Sequence, residues 1–281
     1  MTERSGKRPK KSKFSGNHQR SWLWGRHAVV ETLQSGLWPV LEIYASREAF
    51  DQSADLLAAR RREGVPVEIV TTDRLEQLCR SAEHQGLVAR MGDYPYRSVE
   101  RFEQELRVAI DASSREGLET RKTLQPLVVI CDRIQDTFNF GAILRCCDGA
   151  NVLGVIVGDR AQALVTPHVA RSSAGAVNHI PVIKSTDLLA TASRLKSHGW
   201  QLVAADCNTT QSVWDTSLRS FTALIIGSEA HGIHPELLAL CDQRVCIPMH
   251  GQVTSLNAAV AAGILLYEIR RQQLANTNAT R

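Results

Sequence analysis

The rhythm of apolar and polar positions changes twice along the chain, and each change marks a predicted boundary. Between residue 21 and about residue 96, short alternating stretches interleave with helical ones. Val40-Leu41-Glu42-Ile43-Tyr44-Ala45 alternates with the period of two expected of a strand. Residues 67–70 and 86–90 read as two further short strands. A helix is predicted to open near Trp24 and run through Leu33. A second, amphipathic, is expected over 50–63, stopped by Gly64 and Pro66. Asp73 is placed to cap a third through Leu78. Residues 97–124 are charged, then polar, and read as a linker whose first part, 97–112, can form one helix. From Pro126 the pattern becomes strand, helix, strand. Leu127-Val128-Val129-Ile130-Cys131 is an unbroken apolar run, as a parallel strand covered on both faces requires. Further strands are expected at 154–157, 179–182, 201–205, 222–226 and 244–247. The predicted fold class is α/β with a mostly parallel sheet over 125–275, preceded by a small α/β domain over 21–96.

The last predicted helix, 256–269, is apolar all round in its first half, through Ala258, Ala259, Val260, Ala261 and Ala262. Such a helix must be buried on more than one side. Packing between its own domain and a second subunit meets that need, and so does complete burial in one subunit.

Composition changes this picture little and charge changes it more. Apolar residues make up 43% of the 281 and charged residues 22%, an ordinary globular balance. No apolar run reaches membrane-span length and no secretory signal is present, so cytoplasmic residence is expected. Seven cysteines at irregular spacing, without a C-x-x-C pair, suggest neither a disulfide framework nor a metal site. Residues 1–20 hold seven Lys or Arg against one acid, leaving the tail at +6 and the remaining chain at −2. A basic tail without apolar periodicity is expected to be disordered and can add salt-dependent affinity for phosphate backbones. An idle solvated tail fits the sequence equally well.

In parallel sheets, ligands bind beyond the carboxyl ends of the strands. Three segments there carry polar residues beside glycine: 132–145, 226–233 and 247–257. Glycine lets the backbone approach a ligand closely, and the exposed donors of a following helix can receive it. Taken singly, each segment has an ordinary reading: Asn139 as a helix cap, Glu229 and Ser255 as partners of orphan amides, Gly227, Gly232 and Gly251 as turns. Three in one domain point to a site. No G-x-G-x-x-G follows the first strand, no P-loop occurs, and no G-x-S-x-G elbow is present.

Asn139-Phe140-Gly141-Ala142-Ile143-Leu144-Arg145, Gly227-Ser228-Glu229 with Gly232, and Ile247-Pro248-Met249 with Ser255-Leu256-Asn257 resemble, in order and spacing, the three motifs of the SpoU (TrmH-like) RNA 2′-O-ribose methyltransferases of the SPOUT superfamily. Gly25-Arg26-His27-Ala28-Val29 and His84-Gln85-Gly86-Leu87 are similar to the small RNA-binding domain of the RlmB-like branch, which modifies a guanosine of large-subunit ribosomal RNA. The resemblance implies a trefoil-knot domain, a homodimer, and S-adenosylmethionine as methyl donor, held mostly by main-chain groups at Gly227, Ile247, Met249 and Leu256. It implies RNA as the partner, ribosomal before transfer RNA.

The matching catalytic positions are Arg145, Asn139, Glu229, Ser255 and Asn257. Arg145 is expected beside the ribose hydroxyl. There it would stabilise developing negative charge or clamp a phosphate rather than accept a proton, because a guanidinium is a very poor base. Asn139 would position Arg145 or the ribose. Glu229 would orient backbone or the opposite subunit's arginine, and Ser255 and Asn257 would bond the ribose or the donor's carboxylate. The sequence departs from the pattern at Cys146-Cys147, where small residues are common, at Ala230-His231, and at Ala258-Ala259, which lacks the usual serine. A transfer-RNA or antibiotic-resistance methyltransferase, or a non-catalytic RNA-binding or assembly protein, remains an alternative at this point.

Overall fold

Two sheets organise the chain in the computed structural model, which describes residues 21–115, 124–218 and 220–279. The basic tail expected at 1–20 and the polar stretch 116–123 lie outside the described residues.

The first sheet holds β1 (Trp22–Trp24), β2 (Val40–Ala45), β3 (Val67–Ile69) and β4 (Leu87–Met91) in the order β1-β4-β2-β3. β4 runs antiparallel to β1 and β2, while β2 and β3 are parallel. α1 (Arg26–Ser35), α2 (Arg47–Gln52), α3 (Ala54–Arg62) and α4 (Thr72–Cys79) accompany it. Three predictions shift here. Trp22 to Trp24 is a strand with all three residues buried, and the helix starts after Gly25. The helix expected over 50–63 is two, broken at Ser53, whose φ of −129° and ψ of 22° leave the helical region. The cap of α4 is Thr71, whose hydroxyl accepts from the Arg74 amide at 3.3 Å, not Asp73, which lies within the first turn.

The second sheet has six strands, all parallel: β5 (Leu127–Asp132), β6 (Val155–Gly158), β7 (Val182–Ser185), β8 (Gln201–Ala205), β9 (Thr222–Gly227) and β10 (Gln243–Val245). Their order is β10-β8-β9-β5-β6-β7. From β5 the chain winds outward to β7, then crosses to the other half. β5 and β9 are therefore neighbours at the point where the winding reverses, where ligands of such sheets gather. Residues 127–131 of β5 are all buried, as the unbroken apolar run required, and so is Asp132 at its end. The strand expected at 179–182 begins only at Val182, because Ala176–Asn178 turns as a single 3₁₀ turn against the first domain.

α5 (Val99–Arg115) inserts Val99, Phe102 and Leu106 among residues of β5, β6 and β7, so the first part of the predicted linker packs on the second sheet. α6 (Thr137–Gly149), α7 (Pro167–Ser172), α8 (Leu188–Ser197), α9 (Pro235–Leu240) and α10 (Ala258–Ala279) complete the domain. α10 buries Ala258, Ala262, Leu265, Leu266 and Ile269 within the chain. It also buries Arg270, which donates to the carbonyls of Gln125, Ala150 and Asn151 at 2.6–2.7 Å. Desolvation lowers that guanidinium to a pKa of about 10, still charged near neutrality. Val260 (51% exposed) and Tyr267 (57%) keep an apolar stripe open, seven residues apart on one face.

Candidate functional site

A cavity of about 430 Å³ opens beyond the carboxyl ends of β8, β9 and β10, within the range of about 300–1,000 Å³ usual for small-molecule sites. Its floor is strand-end backbone. β9 ends at Gly227, and the chain turns back at once: the Ser228 amide donates to the Gly232 carbonyl at 3.2 Å and the Gly232 amide to Ser228 at 2.8 Å. A Cβ on Gly227 would stand 2.3–2.5 Å from the Gly232 carbonyl group and the Ile233 nitrogen, so only glycine lets this turn close. The second wall comes from Ile247 and Met249 after β10, and the third from Ser255 and Leu256 before α10. The sequence motifs at 226–233 and 247–257 thus meet in one place.

The first motif joins them through side chains. Asp136 caps α6 by accepting from the Asn139 amide at 2.8 Å, which leaves the Asn139 side chain free of capping. Asn139 Nδ2 donates to Glu229 Oε1, and Asn139 Oδ1 accepts from Asn257 Nδ2 at 2.9 Å. Asn257 Oδ1 in turn accepts from the amides of Ala259 and Val260 at 3.0 and 3.3 Å, capping α10. A continuous polar chain therefore runs from Glu229 through Asn139 to the first turn of α10. Most of the hydrogen-bonding capacity of Asn257 is committed to this chain, so its work is to hold Asn139 and α10 in register.

Arg145 stands apart. It is exposed on α6, does not line the cavity, and makes no hydrogen bond or ion pair among the described residues. It lies seven residues from Phe138, which is 68% exposed, so the two share one face of α6. The face beside it packs on α10: a Cβ at Gly263 would meet Cys146 Sγ at 3.3 Å. Cys147 is buried, as are Cys131 and Cys79, and burial pushes the Cys131 thiol up to about 12. These thiols are inert packing groups. The bulk of Cys146-Cys147 is thereby absorbed between α6, the sheet and α10.

Residues that the sequence reasoning passed over also face the cavity. Asp206 and Asn208 follow β8, with the Asn208 amide donating to Asp206 Oδ1 at 2.9 Å. Thr254 and His231 complete the rim. Asp206 directly follows an apolar strand, the same signal that flagged the other three segments, but no glycine accompanies it. The lining suits a ligand with an apolar body and a cationic end. Alanines and leucines line the same space as Asp206 and Glu229, and the close turn at Gly227 offers main-chain groups rather than side chains.

Comparison with known proteins gives a consistent result. A family model described as the SpoU rRNA Methylase family matches residues 126–267, and one described as RNA 2′-O ribose methyltransferase substrate binding matches 22–97. A Staphylococcus haemolyticus protein named for the TrmH family of tRNA/rRNA methyltransferases is 34% identical over 250 residues, covering 89% of this chain and 94% of its own. The Bacillus subtilis protein YacO, named for the same family, is 31% identical over 262 residues, covering 92% and 98%. Among solved structures, the SpoU methyltransferase AviRb of Streptomyces viridochromogenes, in complex with the cofactor AdoMet, superposes with a TM-score of 0.71 at 26% identity, covering 90% of each chain. An AdoMet-bound rRNA methyltransferase from Sinorhizobium meliloti shares the fold at a TM-score of 0.72 and 23% identity, over 89% of this chain and 87% of its own.

Proposed function

This chain belongs to the SpoU rRNA methylase family, and from that premise we propose that it transfers a methyl group from S-adenosylmethionine to a ribose 2′-hydroxyl of structured RNA. The observation that carries the reading is the meeting of three strand-end motifs around one cavity, tied together by the Glu229–Asn139–Asn257 chain. The donor fits the cavity at Gly227, where backbone approaches without an intervening side chain, and against Ile247, Met249 and Leu256. When bound, it supplies an electrophilic methyl on a sulfonium.

The remaining work falls to this chain's residues. The 2′-oxygen must shed its proton to water as its bond to the methyl carbon forms and the carbon–sulfur bond breaks. The guanidinium of Arg145 stabilises the negative charge that builds on that oxygen. Asn139 holds Glu229 at the cavity mouth, and Ser255, exposed at the rim without a hydrogen bond among the described residues, is free to meet the ribose or the donor's carboxylate. The substrate-binding match over 22–97 supports RNA as the partner; the narrower reading, a guanosine of large-subunit ribosomal RNA, rests on the likeness of Gly25–Val29 and His84–Leu87 to the RlmB-like branch.

The protein acts as a homodimer. Val260, Tyr267 and Phe138 leave apolar surface open on α10 and α6, and Arg145 shares the face of Phe138. A partner seated there receives Arg145, so each arginine serves the cavity of the other subunit.

Mass-spectrometric mapping of ribose methylation tests the reaction. Unmodified large-subunit rRNA and tRNA are incubated with labelled donor and either wild type or Arg145→Ala. One new 2′-O-methylguanosine in rRNA, lowered about 10²–10³-fold in rate by the substitution, is expected. Methylation of tRNA alone would move the substrate and keep the chemistry. An active Arg145→Ala enzyme would remove the role given to that residue.

A further inference from the structure

Behind the wall of the cavity, Asp132 and Arg133 grip the turn that forms it. Asp132 ends β5 opposite Gly227, its register partner on β9, and is only 5% exposed. Its carboxylate accepts from the His234 amide at 2.6 Å. The neighbouring Arg133 sets Nε 3.2 Å from Oδ1 and Nη2 3.3 Å from Oδ2 of the same carboxylate. Nη2 also donates to the Gly232 carbonyl at 3.3 Å. Arg133 does this with a φ of 60°, a region that non-glycine residues enter only where the surroundings hold them. Neither residue lines the cavity.

The turn 228–232 contributes its whole length to the cavity wall. Its tip is held by Glu229 on Asn139, and its far end has two anchors, Gly232 on Arg133 and His234 on Asp132. The carboxylate also offsets the guanidinium charge, so this clamp adds little net charge to the site.

We infer that Asp132 and Arg133 are positioning residues for the methyl donor, which act by fixing the turn 228–232 against Gly227. The inference rests on the reading that this cavity holds S-adenosylmethionine. Without the clamp the turn samples more conformations, and donor binding must order it again. Donor affinity therefore falls, while the bound state, once formed, reacts as before.

The test uses Arg133→Gly in the full chain. Glycine accepts a φ of 60° without strain, so the substitution removes the guanidinium and spares the backbone. Calorimetric titration with S-adenosylmethionine is expected to show about 10-fold weaker binding, the loss of one charge-assisted hydrogen-bonding group. The KM for donor rises in step, while kcat at saturating donor and KM for RNA stay within about twofold; the melting temperature falls, because the buried Asp132 carboxylate loses its guanidinium. Arg133→Lys falls between, because a lysine keeps the charge beside Asp132 but lacks the planar guanidinium whose Nη2 bonds both the carboxylate and the Gly232 carbonyl. Wild-type donor affinity in Arg133→Gly overturns the clamp. So does a variant in which donor affinity and RNA affinity fall together, since that marks general loosening. A wild-type protein that binds no donor sinks the reading of the cavity first, and the clamp with it.

Discussion

Gly227 occupies a point where no side chain fits, because the backbone of Gly232 and Ile233 lies within 2.5 Å of any Cβ it would carry. Gly251, in the loop after β10, has nothing within 4 Å of its Cβ position. Gly227→Ala must push the turn 228–232 out of place, and at least a 10-fold loss of donor affinity is expected. Gly251→Ala should bind donor like wild type. Calorimetry on the two variants checks the contrast, and equal affinities would show that close backbone approach is not what the cavity requires. In the sequence these glycines looked alike, each a turn residue near a strand end, because spacing records where a turn occurs and not what folds back over it. Asn139 teaches the same lesson. As a residue at a helix start it reads as a cap, but Asp136 takes that duty and frees Asn139 to bridge Glu229 and Asn257. The motif residues of the second and third segments were legible because strand ends in a parallel sheet converge by topology. Arg133 carried no signal at all: its left-handed backbone and its reach to Gly232 exist only in the folded chain.

The strands of the second sheet follow from apolar runs, and most agree with the pattern to within one or two residues. α7 and the turn after it do not, because they answer to the neighbouring domain rather than to their own periodicity. His168 on α7 meets the Trp24 ring edge-on at 5.3 Å, while the Arg171 guanidinium sits 4.4 Å over the same ring and pairs with Glu83 at 3.0 Å. Tyr94 donates to the Val177 carbonyl at 3.1 Å and Asn178 to Thr32 Oγ1 at 3.1 Å, closing the same interface. α7 also touches α6: Ser172 Oγ donates to the Thr137 carbonyl, and a Cβ on Gly141 would strike that hydroxyl. Burial, then the charge of Arg171, holds His168 below the ordinary histidine range. The unfolded chain therefore takes up a proton near pH 6.5 that the folded one resists. His168 contributes its full stability above that pH, and the contribution is lost as pH falls through 6.5 toward the lower folded value. The melting temperature is expected to drop between pH 7.5 and 5.5, and by less in His168→Phe, which keeps the ring against Trp24. Identical pH dependence in the two proteins would remove His168 from the interface account.

At the scale of the whole molecule, a single chain leaves its proposed chemistry divided. The cavity gathers Gly227, Ile247, Met249, Leu256, Glu229 and Ser255, while Arg145, exposed on α6, is not among the residues that line it. The face of α6 it shares with Phe138 and the α10 stripe of Val260 and Tyr267 are the apolar surface a second copy would cover. An isologous interface carries every contact twice, so a subunit that lends its arginine also receives one. Two variants then complement one another when assayed with donor below the wild-type KM, where Gly227→Ala keeps about a tenth of the wild-type rate or less. Arg145→Ala keeps a sound cavity and lacks the arginine, and Gly227→Ala keeps the arginine and lacks the cavity. Mixed by co-expression, half of the dimers are heterodimers, and each has one intact composite site, so about a quarter of wild-type turnover should return. If Arg145 instead served its own chain's cavity, no heterodimer site would be whole and the mixture would do no better than the variants alone. Light scattering run alongside fixes the mass of the species assayed. Val260→Glu, which places a charge in the stripe, should yield monomers of 31.0 kDa in which donor binding survives and methyl transfer does not. Monomers that still methylate RNA would break the link between assembly and catalysis.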